Sequence, residues 1–474
     1  MFPEELNRKP VWSFFREICS IPHTSGDEAR ISQYLRSFAV ERGLQCDHDN
    51  PGNVMIRKAG AGDPVMLQAH MDMVGEKTAD SSHNFLTDPI QSVLEGDILI
   101  ARETTLGADN GIGVALMLEL LDSDIQGLPP LECLFTVDEE RGLVGALQFP
   151  PVWVTAEKLI NLDSEDLGKI CIGCAGGRDI EVSLTESSED YSGPAVEITV
   201  EELNGGHSGI EIDSGNANAI KLAVRVCRQM EELLGGRLVS IQGGTKHNAI
   251  PRSARALVAL ENPMEAHALC SIINKDFLEE YSGIEEEISI KCEEAEVNHR
   301  LTEVSSKRII DFLLALPHGV KKMSGVVSGL VETSCNLAIV KWEGSGLSAL
   351  ISVRSAVESA KDAHCESIAA VGRLAGGEVS MGDGYPGWAP DRSSELLKTA
   401  QLSFQHRFGS EPVVEAIHAG LECGIIGERV GNLDMISLGP DISDVHIPGE
   451  SVSVPSVAIF LDYLVDLLRK LAVE

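Results

Sequence analysis

Between residues 11 and 180 the chain alternates between two hydrophobic patterns, one of helical period and one of short apolar runs. "SGDEARISQYLRSFAVERG" reads as a helix, with Ser25 and Glu28 in capping-box spacing at its start. "NVMIRK", "PVMLQA", "GDILIA", "LECLFTV" and "KLINL" read as strands, and the strongly apolar "NGIGVALMLELL" reads as a helix among them. Alternation of this kind predicts an α/β sheet with helices on its faces.

From about residue 181 the texture changes. "DIEVSLTES" and "AVEITVEEL" alternate apolar and polar positions, the pattern of half-buried antiparallel strands. Long amphipathic helices follow in "NANAIKLAVRVCRQMEELLG" and "PMEAHALCSIINKDFLEEYSG". A second run of similar make-up covers 286–380 and includes "GLSALISVRSAVESAKDAHCESIAAVGRLAGG", the arrangement a diverged duplication would leave, though without a strict repeat. "GDGYPGWAPD" reads as the crossing back, before the helix "SSELLKTAQLSFQHRF", the strand "DMISLG" and the helix "PSVAIFLDYLVDLLRKLA". The expected organisation is a catalytic α/β domain in two segments, 1–180 and 386–474, with an α+β lid domain of residues 181–385 inserted between them.

Composition narrows the partners. The 474 residues are 43% hydrophobic, enough for two or three cores, and no apolar run reaches membrane-spanning length. A net charge of −35 argues against nucleic acid or an anionic membrane as partner. Eleven cysteines without a framework pattern suit reduced thiols, and "MFPEELNRKPVWSFFREICS" lacks the shape of a signal peptide, so a cytoplasmic location is expected.

The unusual polar residues fall at strand ends. "VMLQAHMD" puts His70 and Asp72 just past a strand, and "TTLGADNGIG" puts Asp109 before the apolar helix. "LFTVDEE" ends in Asp138, Glu139 and Glu140, "LINLDSED" leads to Asp163, and "MISLGPDISDVH" leads to His446. Taken singly, each has an ordinary explanation: Asp109 as a helix N-cap, Asp163 as an exposed turn, His446 as a loop histidine, the acidic triplet as a solvated turn. Ligands bind at the carboxyl ends of strands in open α/β sheets, however, and imidazole with carboxylate suits zinc or its neighbours. Two divalent cations would be balanced by Asp109, Glu140, Asp163 and one hydroxide, with His70 and His446 neutral; a closely spaced pair calls for a shared carboxylate. Adjacent residues of an extended segment point to opposite sides, so Glu139 and Glu140 are expected to diverge, and only one would aim at a given ion.

These segments resemble a known family. "AHMDMV", "TTLGADNGIG", "TVDEERGLVGA", "NLDSEDLG", "LNGGHSG", "GGTKHNAIPR", "HAGLECG" and "GPDISDVHIPGE", in this order, look like the bacterial aminoacylhistidine dipeptidases, within the di-zinc metallopeptidases that include the aminoacylases. The resemblance covers essentially the whole chain; one departure is Glu103, where glycine is expected in the approach "ARETTLGADNG". It implies a zinc-peptidase-like mixed sheet flanked by helices with an inserted lid. Also implied is hydrolysis of unblocked dipeptides, Xaa-His among them, by a water activated at two zinc ions, which cobalt or manganese can replace. N-acyl-amino-acid deacylation and tripeptide cleavage are the alternatives within the same family.

By the same resemblance His70 and Asp163 would bind one zinc, Glu140 and His446 the other, and Asp109 would bridge. Asp72 would fix the His70 tautomer and Glu139 would be the general base. His207 would stabilise the oxyanion, while Asn248 and Arg354 would hold the substrate, the arginine through its terminal carboxylate. Relatives often form homodimers through the inserted domain, whose size here also suits a monomer.

Other readings carry less. "CIGC" (Cys171 to Cys174) has redox spacing but no second pair for structural zinc, and "GIGVAL" lacks the third glycine of a dinucleotide loop. Cys423 is a conceivable nucleophile that a complete metal set makes unnecessary. A non-catalytic descendant would be expected to have lost a ligand or the base, and none is missing.

Overall fold

The computed structural model describes residues 3, 6, 9–344 and 346–473. The chain divides into two compact units. The first comprises the residues up to Cys174, Trp388–Ala416 and those from Leu421 onward; the second comprises Ala175–Gly387 and Ile417–Gly420. The chain changes unit inside "CAGG" and again inside "GDGYPGWAPD". Ile417–Gly420, read from sequence with the last catalytic segment, goes with the second unit instead. Local bonds account for this: Ala175 N donates to Ala419 O at 2.9 Å, and the His418 ring pairs with Ser334.

The first unit is built on an eight-stranded sheet. Its order is Gln45–His48, Val54–Lys58, Leu131–Thr136, Val65–His70, Lys158–Asn161, Asp434–Ser437, Lys169–Cys174 and Val413–Ile417. Leu131–Thr136, Val65–His70, Lys158–Asn161 and Asp434–Ser437 are adjacent and mutually parallel, while the pairings of Gln45–His48, Val54–Lys58 and Lys169–Cys174 with their inner neighbours are antiparallel. All six residues of Val65–His70 and of Leu131–Thr136 are buried, which explains why these strands read as largely apolar runs without alternation. Helix Ala108–Asp122 packs against Val65–His70 and helix Pro10–Ser20 and is buried almost all round, hence its lack of a polar face.

Two local expectations fail. "GDILIA" forms Ile98–Ile100, which lies in a separate four-stranded antiparallel sheet, in the order Ile442–Ser443, Ser451–Ser453, Ile98–Ile100, Val93–Glu95. The capping box at Ser25 and Glu28 does not form, because stronger acceptors and donors lie nearby. Ser25 Oγ donates to Asp72 Oδ2 at 2.8 Å, and Glu28 Oε1 accepts from Gly26 N and Asp138 N, so helix Ala29–Glu41 starts without a side-chain cap.

In the second unit both sequence runs join one nine-stranded sheet, in which the pairings are antiparallel. They meet where Arg237–Gly243 pairs with Val331–Glu343. Each run contributes two helices, Ala219–Leu234 and Pro263–Glu280 from the first, Glu303–Ala315 and Glu358–Leu374 from the second. Every second residue of the strands (Ile180, Val182, Leu184; Val196, Ile198, Val200; Leu347, Ala349, Ile351, Val353) meets the apolar faces of these helices in one core. No described helix is long and apolar enough to cross a membrane.

Gly439 shows how tightly the functional end of the first unit is packed. A Cβ there would lie 1.4 Å from Ser164 O, on the loop that carries Asp163. Gly439→Ala should therefore destabilise the first unit by about 1–3 kcal/mol, the usual cost of overpacking. Gly325→Ala, where a Cβ meets nothing within 4 Å, should stay within about 0.5 kcal/mol. Denaturant melts of both variants provide the check.

Candidate metal centre

The four parallel strands end at the same side of the sheet, and the chemistry-bearing residues follow from there. His70 is the last residue of Val65–His70, and Glu139 and Glu140 follow Leu131–Thr136. Asp163 follows Lys158–Asn161, and His446 lies beyond Asp434–Ser437 on the hairpin between Ile442–Ser443 and Ser451–Ser453. Asp109 enters from the start of helix Ala108–Asp122. These six residues, far apart in sequence, converge.

The distances define two sets. His70 Nε2 lies 3.1 Å from Asp109 Oδ1 and 3.3 Å from Asp163 Oδ1. His446 Nε2 lies 3.1 Å from Asp109 Oδ2 and 2.7 Å from Glu140 Oε1. The ligand-type atoms of His70, Asp109 and Asp163 fall within 4.8 Å of one another, as do those of Asp109, Glu140 and His446. Asp109 belongs to both sets and turns one oxygen to each imidazole. A ring nitrogen carries at most one proton, yet each Nε2 here faces two carboxylate oxygens. A cation lying among the three atoms of each set satisfies all of them at once, so the donors suit divalent metal ions.

The electrostatics agree. Burial disfavours the charged form of His70, but Asp163, Asp109 and Asp72 outweigh it and hold its pKa well above the ordinary value. Hydrogen bonding to Asp109 and Glu140 takes His446 up to about 11, against the effect of burial. Burial pushes Asp163 up to about 6 despite His70, whereas Asp109, also buried, is held well below the usual carboxylate range by His446 and His70. The carboxylates thus draw positive charge onto both rings. Divalent ions would supply that charge with the rings neutral.

Asp72 organises this end of the sheet. Its carboxylate lies 3.4 Å from His70 Nδ1, whose nearer acceptor is the Asp72 carbonyl at 3.0 Å. Asp72 Oδ1 also accepts from Glu139 N at 3.0 Å, and Oδ2 from Glu140 N at 3.3 Å. The expectation that the two glutamates point to opposite sides fails here. Asp138 adopts a positive φ of 53°, and Gly142 N and Leu143 N close a turn onto Glu139 O, so the segment is not extended. Both carboxylates come within 4.8 Å of the His70 ligand nitrogen. Burial, aided by Asp163, Glu422 and Glu140, raises the Glu139 pKa well above its ordinary value, with His70 opposing. Asp138 itself pairs with Arg141 through both oxygens, at 2.6 and 2.9 Å. That pairing, with the backbone bonds of Glu28 and Asp72, accounts for the neighbouring acidic trio of Glu28, Asp72 and Asp138 without a cation.

Beneath the centre runs a ladder that sequence reading missed. Gln68 donates to Thr136 Oγ1 and Glu422 Oε2, Asn161 Nδ2 donates to Gln68 Oε1 at 2.7 Å, and Ser437 Oγ donates to Asn161 Oδ1. All five side chains are wholly buried and cross-link the four parallel strands. Burial pushes Glu422 up to about 8. Polar residues inside otherwise apolar strands were the available signal.

In the second unit, His207 Nδ1 accepts from Gly209 N at 3.2 Å and Ile210 N at 3.1 Å, which leaves the ring proton on Nε2 as a donor. Burial, followed by Arg354, lowers its pKa, so the ring stays neutral. Ser208 N donates to Asn248 O at 2.9 Å, which joins "GGHSG" to "KHNAIPR". Arg354 is not a surface strand arginine, the ordinary explanation for it. It is 6% exposed, donates from Nη1 to Tyr385 Oη at 3.0 Å, and has a buried Nε without a partner. His418 is a residue the sequence reading passed over, although "HAGLECG" contains it. Its Nε2 lies 2.7 Å from Ser334 Oγ, and burial, followed by Arg354, pushes it down to about 4. Gly209 is required beside it, since a Cβ there would lie 2.3 Å from His418 O.

The cysteine readings have no support. Cys171 and Cys174 are buried and donate to the carbonyls of Gly173 and Leu421. Burial pushes Cys174 up to about 11 and Cys423 well above the ordinary thiol, which leaves both protonated and inert.

Comparison with known proteins points the same way. The model of peptidase family M20/M25/M40 matches residues 66–470. The chain is 38% identical over 478 aligned positions to the cytosol non-specific dipeptidase of Escherichia coli K12, with 98% of each chain covered. The crystal structure of aminoacylhistidine dipeptidase from Vibrio alginolyticus superposes with a TM-score of 0.89 at 37% identity, covering 98% of this chain and 97% of that one. A tripeptidase from Staphylococcus aureus shares the fold at a TM-score of 0.58 and 15% identity, covering 99% of this chain and 100% of that one. With the family's model matched over most of its length and these relatives over almost all of it, the chain belongs to peptidase family M20/M25/M40.

Proposed function

We propose that the chain is a cytosolic dipeptidase that hydrolyses unblocked dipeptides, Xaa-His among them, at a centre of two zinc ions. The observation that carries this reading is Asp109, whose two oxygens face two separate imidazole–carboxylate sets, so that one side chain can serve two cations. Near full-length likeness to the E. coli and Vibrio dipeptidases supports the substrate class. His70 and Asp163 would hold one ion, Glu140 and His446 the other, and Asp109 would serve both; cobalt or manganese would take the place of zinc. Bound there, such ions supply Lewis-acid polarisation and a nucleophilic water at neutral pH.

The protein's own groups move the protons. Glu139 takes one from the attacking water as the carbon–oxygen bond forms, and gives it to the amide nitrogen as the carbon–nitrogen bond breaks. Asp72 holds the His70 ring and the backbone of both glutamates. His207 hydrogen-bonds the developing oxyanion through its Nε2–H and keeps its proton, a role supported by its fixed tautomer. Arg354 pairs with the terminal carboxylate of the dipeptide and Asn248 holds its backbone; the buried, partnerless Nε supports the first assignment. A homodimer through residues 181–385 is proposed on the family's habit alone. The strong acidity favours a soluble peptide substrate over nucleic acid or membrane.

Chelation should abolish release of free amino acids from a dipeptide, and zinc, cobalt or manganese should restore it. A panel of dipeptides, tripeptides and N-acyl amino acids assayed in the same way should show dipeptides cleaved best; full activity in a metal-free sample would end the reading.

Glu139→Gln keeps shape and removes basicity, so both metals should stay while kcat falls at least ~10²-fold. Glu140→Gln should instead weaken one metal site and be partly rescued by excess zinc. Zinc stoichiometry and kcat of the two variants decide, and a reversed pattern exchanges the two roles.

His207→Ala should lower kcat by about 10²–10³-fold, the scale of one oxyanion donor, at unchanged metal content. Loss of zinc from this variant, measured by elemental analysis, would make His207 a ligand.

A further inference from the structure

Glu450 stands four residues beyond His446, is 2% exposed, and belongs to neither metal set. Its two carboxylate oxygens accept four consecutive backbone N–H groups. Oε2 takes Leu106 N at 2.8 Å and Gly107 N at 3.0 Å, and Oε1 takes Ala108 N at 2.7 Å and Asp109 N at 3.1 Å. Leu106 and Gly107 precede helix Ala108–Asp122 and Ala108 and Asp109 stand at its start, where the backbone of Asp109 and Asn110 departs from helical φ/ψ; Gly107, the N-cap residue, has no side chain to satisfy these donors.

The backbone around Glu450 is tied to the same segment. Gly449 N donates to Ala101 O at 2.9 Å, Ala101 N donates to Glu450 O at 3.1 Å, and Ser451–Ser453 pairs with Ile98–Ile100. The hairpin that holds Glu450 also holds His446, in the left-handed region at φ 63°. One carboxylate thus joins the two segments whose side chains meet at Asp109 Oδ2 and His446 Nε2.

We propose that Glu450 is a positioning residue, which fixes the place of the Asp109 carboxylate relative to His446 and so sets the affinity of the centre for its second ion. The inference rests on the two-ion reading of that centre. Glutamine cannot do this work: it offers one acceptor oxygen, and its NH2 group would face two of the four backbone donors. Aspartate keeps charge and acceptors but has one methylene less reach.

The test compares Glu450→Gln and Glu450→Asp with the wild-type chain by zinc titration, hydrogen exchange at residues 106–109, and kcat and KM at limiting and excess zinc. Exchange at 106–109 should quicken in Glu450→Gln while the rest of the first unit keeps its protection. Zinc affinity should fall about 10–100-fold, the usual effect of losing an outer partner of a ligand. At limiting zinc kcat should fall with it and recover in excess zinc, KM should hold, and Glu450→Asp should be intermediate. Wild-type zinc affinity in Glu450→Gln would overturn the proposal, even if local exchange or stability changes, because Glu450 would then serve the fold alone. Should Glu450→Gln fail to fold, wild-type affinity in a folded Glu450→Asp overturns it equally. A wild-type chain that binds fewer than two zinc ions contradicts the two-ion reading instead, so the two failures are distinguishable.

Discussion

Repulsion between like charges is the constraint on which the metal centre depends. Asp109, Glu140 and Asp163, all largely withdrawn from solvent, meet around two imidazole nitrogens at 2.7–3.3 Å. Unit charges 4 Å apart at an effective dielectric of about 20 interact by roughly 4 kcal/mol. Carboxylates held this close need positive charge among them, and the shape of the site says where. Asp109 divides its oxygens between the two imidazoles, which makes it the side chain bonded to both rings.

Holding these side chains together is the task of the surrounding first unit. Four adjacent parallel strands deliver their ends to one side, and the buried ladder of Thr136, Gln68, Asn161 and Ser437, with Glu422 at its end, locks those strands to one another. Asp72 gathers the His70 ring and the turn bearing Glu139 and Glu140. Unpaired polar groups in such surroundings are costly, so each bond in the ladder resists any shift of register. This buried polar network therefore lies beside the crowded carboxylates.

Much of this was legible in the sequence because strands buried on both faces must be apolar, and a sudden polar residue at their ends stands out. His70, Asp163 and the acidic triplet announce themselves in this way, and the uninterrupted apolar stretch of Ala108–Asp122 reports a helix sunk in the core. Strand order was not legible, since pairing Asp434–Ser437 with Lys158–Asn161 is a contact between distant segments with no local signal. The side chains of Glu139 and Glu140 were misread because a non-glycine residue, Asp138, takes the positive φ that turns the chain. Ser25 and Glu28 were misread because Asp72 and the Asp138 backbone, both remote in sequence, compete for their bonds. Glu450 could not be singled out at all: among 73 acidic residues, nothing local distinguishes a carboxylate that will cap four backbone groups from one that faces solvent.

The chemistry proposed for the centre depends on Asp109 standing between two ions. Anomalous diffraction at the zinc edge, from crystals of the zinc-loaded protein, tests it most directly. Two peaks are expected about 3.5–4 Å apart, the spacing of two-metal hydrolases, one beside His70 and Asp163 and the other beside Glu140 and His446, with an Asp109 oxygen on each. A single peak at saturating zinc, or two peaks of which only one touches Asp109, would contradict it.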